Sequence, residues 1–501
     1  MSGFRLTRAE SLERLRADVL DVLIVGGGIN GAGIARDLSL RAGLAKRPLR
    51  IGLADKGHFS AGTSGRNSQL IHGGLRYLEN LEFGLVREAL RERETLLRIA
   101  PHLVEPLPML IPFHGAFRRA YFGVGLWLYD TLAGRRNIGR RRHVSRQTLA
   151  EMEPDMALDG VFSAAVYYDC KVHSARLVLE NLFDASSRGA AIVNYCAAVS
   201  WRRGAEDVFE VRCEDRDGGA AFDVRARRVV DARGPWDDSG KLRLVRGSHI
   251  VVPRLTRDDR AIAHFNADGR ILFIIPWGVH GDLSLVGTTD IDHSGSADRV
   301  RISAEEVAYL RNAAGALYPH AALEPVAAYS SLRPLIAAGK ESAAAASRGH
   351  EIAFDAEGVL KIGGGKYTTY RAMSEQAASL LFPDLGGASA TGTAPLGGPD
   401  PAAEGVLRFH GVHAREALRL PRFPSPLDDG EAAAIEFAVR REMALRLPDL
   451  MFVSTYWGHE RRWSRESLAP YAEYMGRLLG WTPERTAEET AAVLDMTRLP
   501  E

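Results

Sequence analysis

Asp21 to Asp55 reads DVLIVGGGINGAGIARDLSLRAGLAKRPLRIGLAD, and the fold follows from how this stretch is punctuated. The apolar run Val22 to Val25 predicts a short buried parallel strand. It breaks into Gly26, Gly28 and Gly31 at G-x-G-x-x-G spacing and continues as a helical pattern through Ala32, Ile34, Ala35 and Leu38. A second strand is expected at Arg50 to Ala54, ending on Asp55. Gly26 permits the tight turn, Gly28 lets backbone approach a pyrophosphate, and Gly31 lets helix and strand pack closely. The N–H groups at the helix start face the phosphates. Asp55 can accept both ribose hydroxyls, and its charge repels a 2′-phosphate. The unit predicts a dinucleotide site without separating FAD from NAD.

Composition narrows the class. A chain of 501 residues with 46% hydrophobic content can bury more than one core. With 64 Lys and Arg against 63 Asp and Glu, net charge +1, nothing global calls for nucleic acid. Cys170, Cys196 and Cys213 form no CxxC pair, which suits a reducing cytoplasm. No metal site is expected: His410 and His413 lie three apart without suitable co-ligands and read as surface residues. No apolar run reaches the roughly 20 residues of a spanning helix, and no signal-type core opens the chain. Thr7 to Glu10 fits a capping box that starts a short helix through Leu12 and Leu15.

Beyond Asp55 a polar loop, Phe59 to Ser68, leads to IHGGLRY, whose paired glycines suggest backbone lying against a ligand. Glu82 to Ile99 has helical periodicity; its Arg87, Arg91, Arg93, Glu88, Glu92 and Glu94 read as a solvated face. Residues 117 to 143 join an apolar, aromatic centre, Tyr121 to Leu132, to flanks carrying Arg118, Arg119, Arg135, Arg136, Arg140, Arg141 and Arg142. That pattern fits a helix lying on an anionic membrane or a core helix beside a basic loop. Strands are expected at Ala191 to Tyr195 and at Arg228 to Asp231, the latter entering a glycine turn at Gly234. Further strands are expected at His249 to Val252, Ile271 to Ile275 and Leu283 to Val286, and a helix over Ala304 to Leu317. VLKIGGGKYTTYRAMSEQ reads as strand, glycine turn and helix start, with Thr368 or Thr369 as cap. After the Gly/Pro-rich linker from Thr391 the pattern turns helical. The fold class is therefore α/β: a Rossmann-like domain interleaved with a β-rich substrate domain over residues 1–392, and a C-terminal helical domain over residues 393–501.

Two nucleotide-contacting turns far apart in sequence suit an elongated FAD better than NAD. At this point the chain resembles the FAD-dependent glycerol-3-phosphate dehydrogenase family. The likeness is carried by VGGGINGAGIARDL, LIHGGLRYLE, YYDCKVHSARLVLEN, RGSHIVVPR, IIPWGVHGDLSLVGTTD, YSSLRPL and GGGKYTTYRAMSEQA. The resemblance implies that Gly26, Gly28, Gly31 and Asp55 bind the ADP half of FAD. It also implies that Thr63, Ser64, Gly234, Gly364, Gly365, Lys366 and Thr368 serve the rest of the cofactor. His72, Arg76, Tyr77, Arg333, Arg348 and Lys366 would line a substrate pocket that His249 also faces. Oxidising a secondary alcohol by hydride transfer needs positive charge near the reacting oxygen, a proton acceptor, and separate donors for a phosphate. Arg333 is assigned to the oxygen, with His249 as base and His72 beside it, and Arg76, Tyr77, Arg348 and Lys366 as substrate-binding residues.

The implied reaction takes sn-glycerol 3-phosphate to dihydroxyacetone phosphate, with electrons passed to a quinone or to oxygen. A longer polyol phosphate, or flavin binding without turnover, are the alternatives. The expected location is cytoplasmic, peripheral on the inner face of the cell membrane through residues 117 to 143, with a homodimer as the assembly. Four departures stand out. Asn67-Ser68-Gln69 replaces a family Ser-Ser-Lys, removing a cation, and Asp231-Ala232-Arg233 replaces Asn-Ala-Thr. His173-Ser174 replaces Asp-Asp, and Phe452-Val453-Ser454 replaces a double-Arg-Thr run.

Overall fold

Side-chain alternation along Val22–Val25 decides what packs on either side of the first sheet: Val22 and Ile24 join one core, Leu23 and Val25 another. Both faces are buried, as a central parallel strand requires. The computed structural model describes residues 3–75, 82–266, 268–337 and 349–500. Its first sheet has six strands in the order His350–Phe354, Leu360–Gly364, Val229–Asp231, Val22–Val25, Ile51–Ala54, Ala191–Val193. All neighbours pair in parallel except the first two, which form an antiparallel hairpin. The helices Ile29–Leu44, Ser174–Ser187 and Tyr370–Leu381 pack together over one face. The three-stranded antiparallel sheet Cys196–Arg203, Phe209–Asp215, Ala221–Ala226 covers the other through Phe209, Val211 and Val224.

The second sheet has ten strands and carries the substrate side. Leu242–Pro253 lies between Leu283–Gly287 and Ala327–Ile336, so that His249 stands opposite Gly287 on one neighbour and Tyr329 on the other. The strands Val104–Phe113 and Ser163–Val172 extend it, and the predicted helix Ala304–Leu317 closes its far face. The Thr7–Glu10 capping box forms, and Leu12 and Leu15 are buried.

Three local readings change. In the helix Phe83–Ile99, Glu92 and Arg93 are buried and not solvated: Arg371 grips Glu92 with two hydrogen bonds of 2.6 and 2.9 Å, and Arg93 pairs with Asp169 at 2.8 Å. His410 and His413 are buried too, His413 against Glu180 at 3.0 Å. Thr368 and Thr369 do not cap the helix Tyr370–Leu381 through their side chains.

The helix Ala116–Ala133 buries one side and exposes apolar residues on another. Phe122, Leu126 and Tyr129 are buried, while Phe117, Val124 and Trp127 are 83%, 60% and 52% exposed. Among the described residues, no helix is long and apolar enough to cross a membrane. Helices between Ala414 and Thr497 bury a cluster of their own, including Phe437, Leu450, Leu468 and Met475. From the same region Met443, Val453 and Tyr456 reach into the main core.

Candidate active site

One cavity of about 1210 Å³ runs between the two sheets. It exceeds the roughly 300–1,000 Å³ of ordinary small-molecule pockets, room for a dinucleotide with a substrate beside it. At one end is the helix Ile29–Leu44, whose N-cap, Gly28, has no side chain to cap the first turn. Gly26, at φ +111°, makes the turn; a Cβ on Gly31 would stand 1.9 Å from the Gly26 carbonyl oxygen, which is why helix and turn pack this closely. Asp55 leaves the end of Ile51–Ala54 and accepts N–H groups from Gly27 at 2.6 Å and Gly57 at 2.8 Å. One bond to each oxygen leaves acceptor sites for a ribose. Burial raises the Asp55 pKa from its ordinary value, with those two N–H groups acting against the shift.

Loop 60–69 is tied to the helix Ile29–Leu44 and to the second sheet. Ser64 Oγ accepts the Ile29 N–H at 3.0 Å, and Thr63 Oγ1 donates to the Leu332 carbonyl at 2.6 Å. Gly234, Gly364 and Gly365 line the cavity in left-handed conformations, with φ of +61°, +65° and +86°. The glycine-turned helix start, the acid at the strand end and the glycine-lined walls fit the ADP and flavin parts of FAD.

At the other end Arg333 lines the cavity, its guanidinium bonded to Asp290 at 2.5 Å, the Thr289 carbonyl at 3.0 Å and Thr288 Oγ1 at 2.8 Å. Glycine at 247 makes room for it, since a Cβ there would meet Nη2 at 2.4 Å. His249 packs the same way over Gly287, where a Cβ would stand 2.1 Å from its Cδ2. It is buried, stacks on Tyr329 with centroids 5.1 Å apart, and its Nε2 lies 2.9 Å from Ser68 Oγ. Burial, reinforced by Arg333, brings its pKa down to about 3.

Gly26, Gly28, Asp55, Thr63, Ser64, His72, Gly234, Arg333, Gly364, Gly365 and Lys366 thus share one cavity. His249 stands behind Ser68, which does line it. Gly31 and Thr368 sit behind the wall; Thr368 Oγ1 accepts the His72 N–H at 3.2 Å and so joins the HGG and GKYTT segments. Arg76, Tyr77 and Arg348 lie outside the described residues. The paired glycines have separate reasons: Gly74 lines the cavity, but Gly73 is small because a Cβ would meet the Tyr129 hydroxyl at 2.3 Å.

Three of the four departures from the family pattern find partners. Gln69 is turned from the cavity, accepting the Ser174 N–H at 2.9 Å and donating to the Gly65 carbonyl at 3.3 Å. His173 stacks on Tyr456 with centroids 4.2 Å apart, and the Ser174 hydroxyl lies 3.0 Å from that of Tyr456. Asp231 receives Arg233 at 2.8 and 2.9 Å and Lys361 at 2.7 Å, so the two new charges answer each other; burial raises the Asp231 pKa, but these cations outweigh it. Sequence reasoning missed Arg66, Ser68, Asp290 and the Tyr456–His459 segment. For Arg66 and Ser68 the signal was their place in a polar loop just after the nucleotide unit; for Tyr456 there was none.

Comparison with known proteins agrees with this arrangement. The family described as FAD dependent oxidoreductase matches residues 21–371. The chain is 32% identical to glycerol-3-phosphate dehydrogenase 2 of Mycobacterium tuberculosis, over 97% of this chain and 89% of that protein. It is 38% identical to D-erythritol 1-phosphate dehydrogenase of Brucella abortus, over 76% of this chain and 78% of that protein. In fold it is similar to the glycerol-3-phosphate dehydrogenase of Bacillus halodurans complexed with FAD. There the TM-score is 0.76 at 23% identity, covering 98% of this chain and 97% of that one.

Proposed function

The chain belongs to the FAD dependent oxidoreductase family, and on that premise we propose that it oxidises sn-glycerol 3-phosphate to dihydroxyacetone phosphate, passing the electrons to a membrane quinone. The observation that carries this reading is the joint presence of Arg333, Lys366, His72 and Ser68 in the cavity that also holds the nucleotide motif. FAD, when bound, supplies the acceptor for the hydride leaving the substrate carbon.

The protein's part is positioning and proton handling. Arg333, fixed by Asp290 and Thr288, donates toward the reacting oxygen and stabilises the charge that grows there as C–H cleaves. The hydroxyl proton leaves through Ser68, which passes its own proton to His249 Nε2. That step needs the tautomer with hydrogen on Nδ1. Burial and Arg333 keep His249 neutral throughout the physiological range, so that its Nε2 lone pair is available to the Ser68 hydroxyl. Lys366, with Arg76 and Arg348, serves the phosphate, and Tyr77 the polyol chain. The helix Ala116–Ala133 supports the quinone reading, because Phe117, Tyr121 and Val124 of its exposed side also line the cavity.

The relative that acts on D-erythritol 1-phosphate supports a second reading, a four-carbon polyol phosphate. Anaerobic mixing of the flavin-loaded protein with glycerol 3-phosphate, erythritol phosphates and plain glycerol decides. Bleaching of the flavin band by glycerol 3-phosphate at the lowest concentration is expected. Faster bleaching by an erythritol phosphate would transfer the assignment, and no bleaching by any of them would overturn it.

A further inference from the structure

A half-buried guanidinium lines the cavity with no carboxylate to answer it among the described residues. Arg66 sits in loop 60–69, and among the described residues it makes no ion pair and no side-chain hydrogen bond. The other arginines of the cavity wall differ. Arg333 is paired with Asp290, Arg233 with Asp231, and Arg216 is exposed to solvent. Burial lowers the Arg66 pKa from its ordinary value, and only Tyr456 acts in the opposite sense. A guanidinium stays protonated in such surroundings, so the charge remains. Nor do its neighbours cancel it: burial holds the Tyr456 hydroxyl up at about 12 and the His459 imidazole down at about 3, so both are neutral. A cation kept partly out of water without a counter-charge is unfavourable until an anion arrives.

Two anions could meet it in this cavity, the pyrophosphate of the cofactor and the phosphate of the substrate. The pyrophosphate end is marked by Gly28, Ile29 and Ser64. Arg66 lies beyond Gly65, whose carbonyl accepts the Tyr456 hydroxyl at 2.8 Å, and it acts electrostatically on His459. His459 stacks on Tyr329 at 4.6 Å, and Tyr329 stacks in turn on His249. Two residues further on, Ser68 is bonded to His249. Arg66 therefore belongs to the wall that carries the proton path. Gln69, where the family resemblance would put a lysine, turns its amide away from the cavity.

We propose that Arg66 is a substrate-binding residue of this chain, its guanidinium gripping the phosphate dianion of the polyol phosphate. This rests on the polyol phosphate reading above. A planar fork suits a phosphate monoester, which accepts two parallel N–H bonds.

The test uses the flavin-loaded protein and its Arg66→Gln and Arg66→Lys variants. Inorganic phosphate is titrated anaerobically while the flavin absorption band is followed, and KM and kcat are measured with glycerol 3-phosphate. Arg66→Gln should weaken phosphate binding and raise KM by about 10- to 100-fold, with a much smaller change in kcat, and Arg66→Lys should recover part of the loss. Equal phosphate affinity and equal KM in Arg66→Gln, with wild type turning over normally, would sink the proposal alone. Loss of flavin from Arg66→Gln on gel filtration, with its circular dichroism unchanged, would assign the residue to the cofactor pyrophosphate and also overturn it. Failure of wild type to be reduced by any polyol phosphate would instead remove the functional reading beneath it.

Discussion

The Tyr456 hydroxyl donates to the Gly65 carbonyl at 2.8 Å across 391 residues of sequence, so the C-terminal region holds the loop that lines the cavity. The same oxygen accepts the Ala175 N–H at 3.0 Å. Tyr456→Phe keeps the ring against His173 but removes the bonds. A loss of about 1–3 kcal/mol is expected, because the buried Gly65 and Ala175 groups lose a partner. Urea denaturation of the flavin-loaded protein measures it, and an unchanged midpoint would mean that the tie is not made in solution.

Cofactor retention depends on Asp55. Asp55→Ala removes the acceptor for Gly27 and Gly57 as well as that offered to the ribose. Affinity for FAD should fall by about 1.5–3 kcal/mol, the worth of charge-assisted hydrogen bonds. Flavin fluorescence in an ultrafiltrate, compared with wild type at equal protein concentration, reports the change. The flavin is expected to be held non-covalently, so denaturation and precipitation should leave all colour in the supernatant.

Acid stability follows from His249 and His459, both of which burial brings from 6.5 down to about 3. Unfolded, each binds a proton as pH falls through 6.5; folded, each stays neutral until about 3. Stability should therefore drop as pH falls across that window and not above it, by about 1.4 kcal/mol per pH unit for each histidine. Denaturation midpoints between pH 4 and 8 check this. His459→Phe, which keeps an aromatic ring against Tyr329, should remove about one proton from the slope.

Arg333 and Lys366 should separate kinetically. Arg333→Gln removes a donor needed only as charge develops on the reacting oxygen, so kcat should fall by about 100-fold or more. Lys366→Gln should act mainly on KM for glycerol 3-phosphate. Equal effects of both variants on both constants would refute the division of roles.

The helix Ala116–Ala133 should hold the protein on anionic membranes. Phe117 and Trp127 face outward, and Arg118, Arg119, Arg140 and Arg142 are exposed around them. Co-flotation with anionic liposomes at low salt, weakened by salt and by Trp127→Glu, is expected. Flotation independent of lipid charge would contradict the electrostatic part, and failure to float would contradict the docking itself.

How much could be read from residues alone follows range along the chain. The nucleotide unit was legible because strand, glycine turn, helix and terminal Asp55 form one contiguous stretch, each part set by local conformational preference. The same holds for the Thr7–Glu10 cap and the helix Ala304–Leu317. Polar residues inside helices were misread, since their partners arrive from elsewhere: Glu92 finds Arg371 and His413 finds Glu180, over separations of 279 and 233 residues. The sequence by itself determined the cofactor-binding βαβ unit, the β-rich substrate half and the helical C-terminal pattern. Only the tertiary structure decided that Ser68 stands between the cavity and His249, that Asp231 and Arg233 neutralise each other, and that Arg66 lines the cavity with no counter-ion among the described residues. Burial and charge pairing depend on which distant segments the two sheets bring together, and no local spacing encodes that.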